Sequence, residues 1–209
     1  MVCANQTQRF LLQQAFPGRP VTCFSPAAPD PVGRGEEAYA DCLNTMALQM
    51  AGLLCPLTGR RFLVRPAVPE DLSSVAGIEQ LTFPRPFSRA GFAMSLDEPS
   101  RLLLTAQTAG GETAGYLLAR ILPDEPPAAE ILTVAAEESH RRQGVGRALM
   151  QALDRALQAR GVRRCLLEVR ESNGPARQLY AGCGYAEIGV RRHYYDRPDE
   201  DARIMEKNL

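Results

Sequence analysis

The stretch HRRQGVGRALMQALDRALQARG, residues 140–161, constrains the fold more than any other. Val145, Ala148, Leu149, Ala152, Leu153, Ala156 and Leu157 recur at spacings of three and four, which predicts a long helix with one apolar stripe. Gly161 ends it. In front runs a basic loop containing Gly144 and Gly146. A helix start carries four backbone N–H groups without an intrahelical acceptor and the positive end of the macrodipole, and two glycines leave room for an anion. Phosphate suits such a place. The alternative is a glycine turn that only joins strand to helix.

Spacing sorts the phosphate motifs. A nucleotide P-loop needs G-x-x-x-x-G-K-S/T, but Gly146 is followed by Arg147 and Ala148. A dinucleotide fingerprint needs G-x-G-x-x-G directly after a strand. Here the third position is Leu149, and Glu137 to Gln143 separate the apolar run ILTVAA from Gly144. The pattern that is met is Gln/Arg-x-x-Gly-x-Gly/Ala, at Arg141, Gly144 and Gly146, between an apolar strand and the helix.

A length of 209 residues supplies one good core with room for an appendage. Lys plus Arg equals Asp plus Glu at 24 each, so no global charge recruits nucleic acid or an anionic membrane. Cys3, Cys23, Cys42, Cys55, Cys165 and Cys183 include no C-x-x-C pair and have no His at ligand spacing, so neither a metal site nor a disulfide framework is expected. The start, MVCANQTQRF, lacks a basic-then-apolar leader, and MALQMAGLLCPL is broken by Gln49, Gly52 and Pro56. The expectation is a soluble, cytoplasmic protein.

Composition changes near Arg60. Residues 1–60 read as an N-terminal extension, partly loop, with one helix in EEAYADCLNTMALQMAGLL. From Phe62 the elements alternate: strand FLVRPA, helix PEDLSSVAGIEQLTF, helix SRAGFAMSL capped by Ser88, then RLLLTAQ and TAGYLLARIL as a hairpin over Gly110 and Gly111. Strand EILTVAA, the long helix, strand RCLLEVR, a short helix capped by Asn173, and strands EIGVRR and ARIMEK follow. This order predicts a mixed α/β (α+β) sheet in residues 61–209.

The order of elements, with Arg141, Gly144 and Gly146, resembles the GNAT N-acetyltransferases. Within that superfamily, ILTVAAEESHRRQGVGRALM, LLEVRESNGPARQLYAGCGYAEIGVRRHYY and EDARIMEK are similar to the bacterial ribosomal-protein alanine N-acetyltransferases, the RimI-like group. The resemblance implies a GNAT fold: a mixed central sheet with a splayed parallel strand pair and flanking helices. It also implies acetyl-CoA as acetyl donor. The pyrophosphate would sit on the amides of Arg142, Gln143, Gly144, Val145, Gly146 and Arg147. The backbone of Val134, Ala135 and Ala136 would pair with the pantetheine arm, and Asn173 would meet the coenzyme from the far side. The acceptor would be a protein N-terminus, most simply the N-terminal alanine of a small-subunit ribosomal protein; the alternatives are a lysine side chain or small amine as acceptor, or a non-catalytic acyl-CoA-binding regulatory module, against which Glu168 and Tyr180 both speak. The family's acceptor loop commonly carries proline, Trp and Ser. This chain reads FPRPFS and has no Trp, leaving Phe87 as an aromatic wall. Residues 1–60 match nothing in the family.

Acetyl transfer from a thioester to an amine needs a free amine, a stabilised tetrahedral oxyanion and a proton for the departing thiolate. An α-amine has a reference pKa of about 8, so a base is needed at neutral pH. Glu168 is the carboxylate in the apolar strand CLLEV and, by the resemblance, the general base; a half-exposed strand Glu is the plain alternative. Tyr180 is the acid by the same likeness, against a packing tyrosine with a wet hydroxyl. Cys183 reads as a small buried thiol rather than a nucleophile, since no His is near it in sequence. Phe83, Phe87, His193, Tyr194 and Tyr195 are candidates for the acceptor mouth, against an exposed charged hairpin in RRHYYDRPDED. Its acids, Asp196, Asp199, Glu200 and Asp201, form a local negative stretch suited to a basic peptide.

Overall fold

The computed structural model describes residues 62–209, together with the strand backbone of residues 2–3 and 22–23. The chain divides into Met1–Met50 and Ala51–Leu209. In the first unit β1 (Val2–Cys3) pairs in parallel with β2 (Thr22–Cys23). The helix expected in EEAYADCLNTMALQMAGLL lies outside the described residues.

In the second unit β3 (Leu63–Pro66) leads through a short turn of 3-10 helix to α1 (Leu72–Thr82) and α2 (Arg89–Asp97). Asp71 is buried at that turn, where its carboxylate accepts from Val68 N–H and from both terminal nitrogens of Arg65, at 2.6 and 2.8 Å. The Ser88 hydroxyl caps α2 by accepting from Gly91 N–H at 3.0 Å. Strands β4 (Arg101–Gln107) and β5 (Thr113–Leu122) form the expected hairpin, and β6 (Ala128–Ala136) pairs antiparallel with β5. Then come α3 (Val145–Gln158), β7 (Arg164–Arg170), α4 (Gly174–Ala181), β8 (Ala186–Asp196) and β9 (Asp199–Asn208). The seven strands lie in the order β3-β4-β5-β6-β7-β9-β8.

Helix α3 covers one face of the sheet. Val145, Leu149, Ala152, Leu153, Ala156 and Leu157 are buried as the stripe requires, and Met150 joins them. Helices α1 and α2 cover the other face, burying Leu72, Val75, Ile78 and Phe92 against Leu103, Tyr116 and Leu118. The sheet is therefore sandwiched between two apolar layers.

The feature that positions the site is an irregularity in β6. Leu118 faces Thr133 and Ala119 faces Ile131, so Leu132 is an extra residue opposite no partner. It is a β-bulge, and Leu132 and Thr133 both turn to the α1/α2 side. The parallel pairing of β6 with β7 runs from Ala128↔Arg164 to Ile131↔Leu167 and stops there. Beyond the bulge β6 follows β5, while β7 pairs onward with β9, so the two parallel strands part. This is the splayed pair.

The last hairpin is longer than its sequence pattern. β8 and β9 reach Asp196 and Asp199, well past EIGVRR and ARIMEK, because the charged run is matched by ion pairs. Arg192 meets Asp201 at 2.5 Å, His193 meets Asp199 at 2.8 Å, and Arg170 of β7 meets Glu200 at 3.1 Å. Among the described residues no helix is long and apolar enough to cross a membrane.

Gly115 of β5 lies opposite Ala136, where a Cβ would stand 2.6 Å from Ala135 O and 2.7 Å from Val145 Cγ1. Only glycine lets the first residue of α3 sit that close to the sheet. Gly115→Ala is expected to lower unfolding free energy by about 1–3 kcal/mol, as overpacking does. Urea titration checks it, and an unchanged midpoint contradicts it.

Candidate active site

The loop before α3 is shaped by its own side chains. Glu137 accepts from Ser139 N–H at 2.8 Å, and Gln143 donates to Ser139 O at 2.8 Å. Arg142 and Gly144 take positive φ, 62° and 95°. This winding turns successive amides toward one concavity. The first α3 bond runs from Ala148 N–H to Gly144 O. Between Arg141 N–H, which donates to Glu138 O, and Ala148 N–H the chain makes a turn in which, among the described residues, the amides of Arg142, Gln143, Gly144, Val145, Gly146 and Arg147 are held by no short, well-aligned backbone bond. Weakly held donors at a helix start, with the exposed side chains of Arg142 and Arg147 beside them, fit a diphosphate.

The two glycines do different work. Around Gly144 the space is open, and glycine is required by φ. A Cβ on Gly146 would stand 2.7 Å from Leu179 Cδ2, so this residue lets α4 approach α3. The expectation that both glycines clear space for the anion is corrected at Gly146.

Past the bulge, β6 alternates between its neighbours. Glu137 N–H donates to Ala114 O at 2.9 Å, and Ala135 O lies against Gly115, so the polar backbone of Ala135 faces β5. By strand alternation that of Val134 and Ala136 faces the opened side, and Arg141 Nε reaches Ala136 O at 3.4 Å. The gap therefore offers the polar backbone of Val134 and Ala136 to a long amide-bearing arm. Ala135 is committed to the sheet, so its expected backbone pairing with pantetheine is corrected. Asn173 Oδ1 caps α4 by accepting from Ala176 N–H at 3.2 Å, which leaves only its side-chain amide for a ligand.

Glu168 is the first β7 residue after the last parallel pair. Leu167 and Val169 are buried under α3, so Glu168 faces the other side, into the splay. Its Oε1 is 2.7 Å from Arg191 Nη1. Tyr194 and Tyr195 stack edge to face at 5.0 Å, with the Arg191 guanidinium over Tyr194 and that of Arg170 over Tyr195. Contact with Glu168, above all, raises the Tyr194 phenol. Burial first, then the Glu168 charge, push Tyr195 up to about 12. Glu168, Arg191, Tyr194 and Tyr195 are thus one cluster.

Tyr180 is buried on α4, its ring 6.2 Å from that of Tyr185. Burial, then Tyr195, hold its phenol far above the ordinary range. Among the described residues no hydrogen bond joins it to Glu168; Tyr195 stands between them electrostatically. A phenol so raised is fully protonated at neutral pH, and it suits a hydrogen-bond donor to departing sulfur better than a strong acid. Burial also raises the Cys183 thiol, which keeps it out of the nucleophilic thiolate form.

Of the residues expected at an acceptor mouth, Phe83 and Phe87 are half-buried against the α1/α2 core, and Phe87 packs 5.8 Å from Phe92. Tyr194 is exposed. The acidic stretch is neutralised: Asp196 pairs with Arg85, and Asp199, Glu200 and Asp201 with His193, Arg170 and Arg192. The expected pull on a basic peptide is corrected accordingly. Sequence reasoning missed Arg191, which pairs with Glu168, and Glu79, a carboxylate 1% exposed that accepts from Phe87 N–H in the α1–α2 loop. The signal for Glu79 was a charge inside the stripe of Val75, Ile78 and Thr82. Among the described residues no cluster of metal ligands occurs.

Weakly held amides at a helix start, an opened parallel pair and a carboxylate in the opening define a protein built for a long, diphosphate-bearing acyl carrier and a nucleophile that must lose a proton. The Acetyltransferase (GNAT) family matches residues 72–185. Ribosomal protein bS18-alanine N-acetyltransferase of Escherichia coli (strain K12) is 38% identical over 137 residues, 65% of this chain and 89% of its own length. The N-alpha-acetyltransferase of Sulfurisphaera tokodaii is 32% identical over 157 residues, 70% of this chain and 93% of its own. The crystal structure of the E. coli alanine N-acetyltransferase superposes with a TM-score of 0.63 at 31% identity, covering 71% of this chain and 94% of that one. The chain belongs to the acetyltransferase (GNAT) family and is an acetyl-CoA-dependent N-acetyltransferase.

The two glycines are separable by experiment. Gly146→Ala is expected to destabilise, and Leu179→Ala in the same chain to relieve part of that loss. Gly144→Ala, strained by about 1–2 kcal/mol in φ, gains nothing from Leu179→Ala. Thermal unfolding of the single and double variants reads this. Equal coupling of both glycines to Leu179 contradicts the assignment.

Proposed function

We propose that this enzyme acetylates the N-terminal α-amine of a protein, with alanine as first residue and a small-subunit ribosomal protein as acceptor, in the cytoplasm. The names of the relatives support the acceptor class. The observation that carries the chemistry is Glu168, which stands where β6 and β7 part and faces Tyr194 and Tyr195.

Acetyl-CoA supplies an acetyl group activated as a thioester. Arg142 to Arg147 bind its diphosphate through backbone amides, and Val134 and Ala136 orient its arm. The Val134 N–H is also the donor we assign to the developing oxyanion. Glu168 takes the proton of the incoming ammonium, directly or through water, and Arg191 fixes the carboxylate meanwhile. The freed amine forms the C–N bond as the thioester C–S bond breaks, Tyr180 donates a hydrogen bond to the departing sulfur, and the thiolate takes up the proton that the new amide nitrogen loses. Phe83, Phe87, Tyr194 and Tyr195 wall a cleft that admits a small first side chain.

An Ala-initiated peptide followed by basic residues is expected to gain one acetyl group, on its α-amine, and a peptide with a blocked N-terminus and free lysines none. Glu168→Gln is expected to lower kcat by roughly 100-fold, and Tyr180→Phe to lower it less, both with acetyl-CoA affinity unchanged. Mass spectrometry locating acetyl only on lysine ε-amines contradicts the acceptor, and full activity of both variants contradicts the roles.

A further inference from the structure

The loop from Phe83 to Ser88 joins α1 to α2 and carries the two phenylalanines of the proposed acceptor wall. It contains Pro84 and Pro86, which have no N–H, so between them and α2 few backbone donors are left to tie it down. One of these is used inward: Phe87 N–H donates to Glu79 Oε1 at 3.0 Å. Glu79 Oε2 accepts from the Tyr116 hydroxyl and from Thr133 Oγ1 at 3.1 Å. The same carboxylate therefore grips the acceptor loop with one oxygen and strands β5 and β6 with the other. Thr133 is the residue next to the bulge, immediately before Val134, and Tyr116 lies opposite Ala135.

A carboxylate in this place is costly. It is buried on α1 with Leu72, Val75 and Ile78 of the same helix, and burial raises its pKa. An aliphatic residue would fill the space without that penalty. It would leave Phe87 N–H without its acceptor and the Tyr116 and Thr133 hydroxyls, 3.2 Å apart, with only each other. Anchoring of the loop to β6 is what the carboxylate supplies.

We propose that Glu79 is a positioning residue for acceptor recognition, holding Phe87 and the α1–α2 loop in fixed relation to the Val134 to Ala136 stretch of β6. The proposal rests on the reading of Phe87 as part of the acceptor wall. Glu79 touches neither substrate; it acts through Phe87 N–H on one side and Thr133 on the other. Glutamine at 79 keeps an oxygen for Phe87 N–H, and its amide donates to the two hydroxyls, which can turn to accept. Methionine keeps the volume and removes every acceptor.

Steady-state kinetics on the full chain, with acetyl-CoA and an Ala-initiated peptide, tests this. Glu79→Met is expected to raise the peptide KM about tenfold, with the acetyl-CoA KM changed less than about twofold and kcat moved less than the peptide KM. Glu79→Gln is expected to restore the peptide KM to within about twofold of wild type. Leu103→Ala, a buried change in the same apolar layer with no bond to the loop, lowers the melting temperature and leaves both KM values in place. If Glu79→Met does not fold, Tyr116→Phe and Thr133→Val carry the measurement, with the same selective rise in the peptide KM. An unchanged peptide KM in folded variants, or equal rises in both KM values, overturns the proposal. Absence of α-amine acetylation by the wild-type enzyme instead overturns the acceptor reading on which it rests.

Discussion

The site depends on one extra residue in a strand. Leu132 has no partner on β5, and the bulge it makes ends the parallel ladder at Ile131↔Leu167. A regular β6 would have continued along β7, and the backbone of Val134 and Ala136 would have been spent on sheet hydrogen bonds. Instead β7 turns its edge to β9, which pairs with it from Arg164↔Asn208 to Arg170↔Ala202. Both strands stay paired on their outer sides, and the opening between them offers polar backbone in the sheet centre.

Everything else in the site is placed relative to that opening. Gly115 allows Val145 to lie on the sheet just past it, which brings the amides of the α3 start to its rim. Glu168 enters it because strand alternation hides Leu167 and Val169 under α3. The hairpin of β8 and β9 brings Arg191, Tyr194 and Tyr195 to Glu168, and its charges are consumed by ion pairs rather than left to steer a substrate. Selectivity then has to come from the shape of the cleft and the fixed position of its walls, not from long-range attraction.

Much of this was legible in the residues. RLLLTAQ, TAGYLLARIL and RCLLEVR are β4, β5 and β7 with the bounds their turn residues mark, and the apolar stripe gave α3. The caps at Ser88 and Asn173 are seen as expected. What was not legible depends on tertiary register. Leu132 sits in an apolar run whose sequence carries no glycine or other mark of a bulge. The two glycines of the loop look alike in sequence, yet one answers to φ and the other to Leu179. RRHYYDRPDED has no alternation, and only pairing across three strands makes it ordered. Glu79 is a charge in an apolar face, a signal visible in principle but without meaning until Phe87, Tyr116 and Thr133 converge on it.

The most direct measurement is an amide chemical-shift titration of the isotope-labelled chain with coenzyme A. The N–H signals of Arg142, Gln143, Gly144, Val145, Gly146 and Arg147, at the start of α3, are expected to move together with those of Val134 and Ala136. The Ala135 N–H, bonded into β5, is expected to stay nearly in place. Large shifts at Ala135 with none at Val134 and Ala136, or a loop whose six amides do not respond, would contradict both the bulge-opened gap and the helix-start diphosphate site.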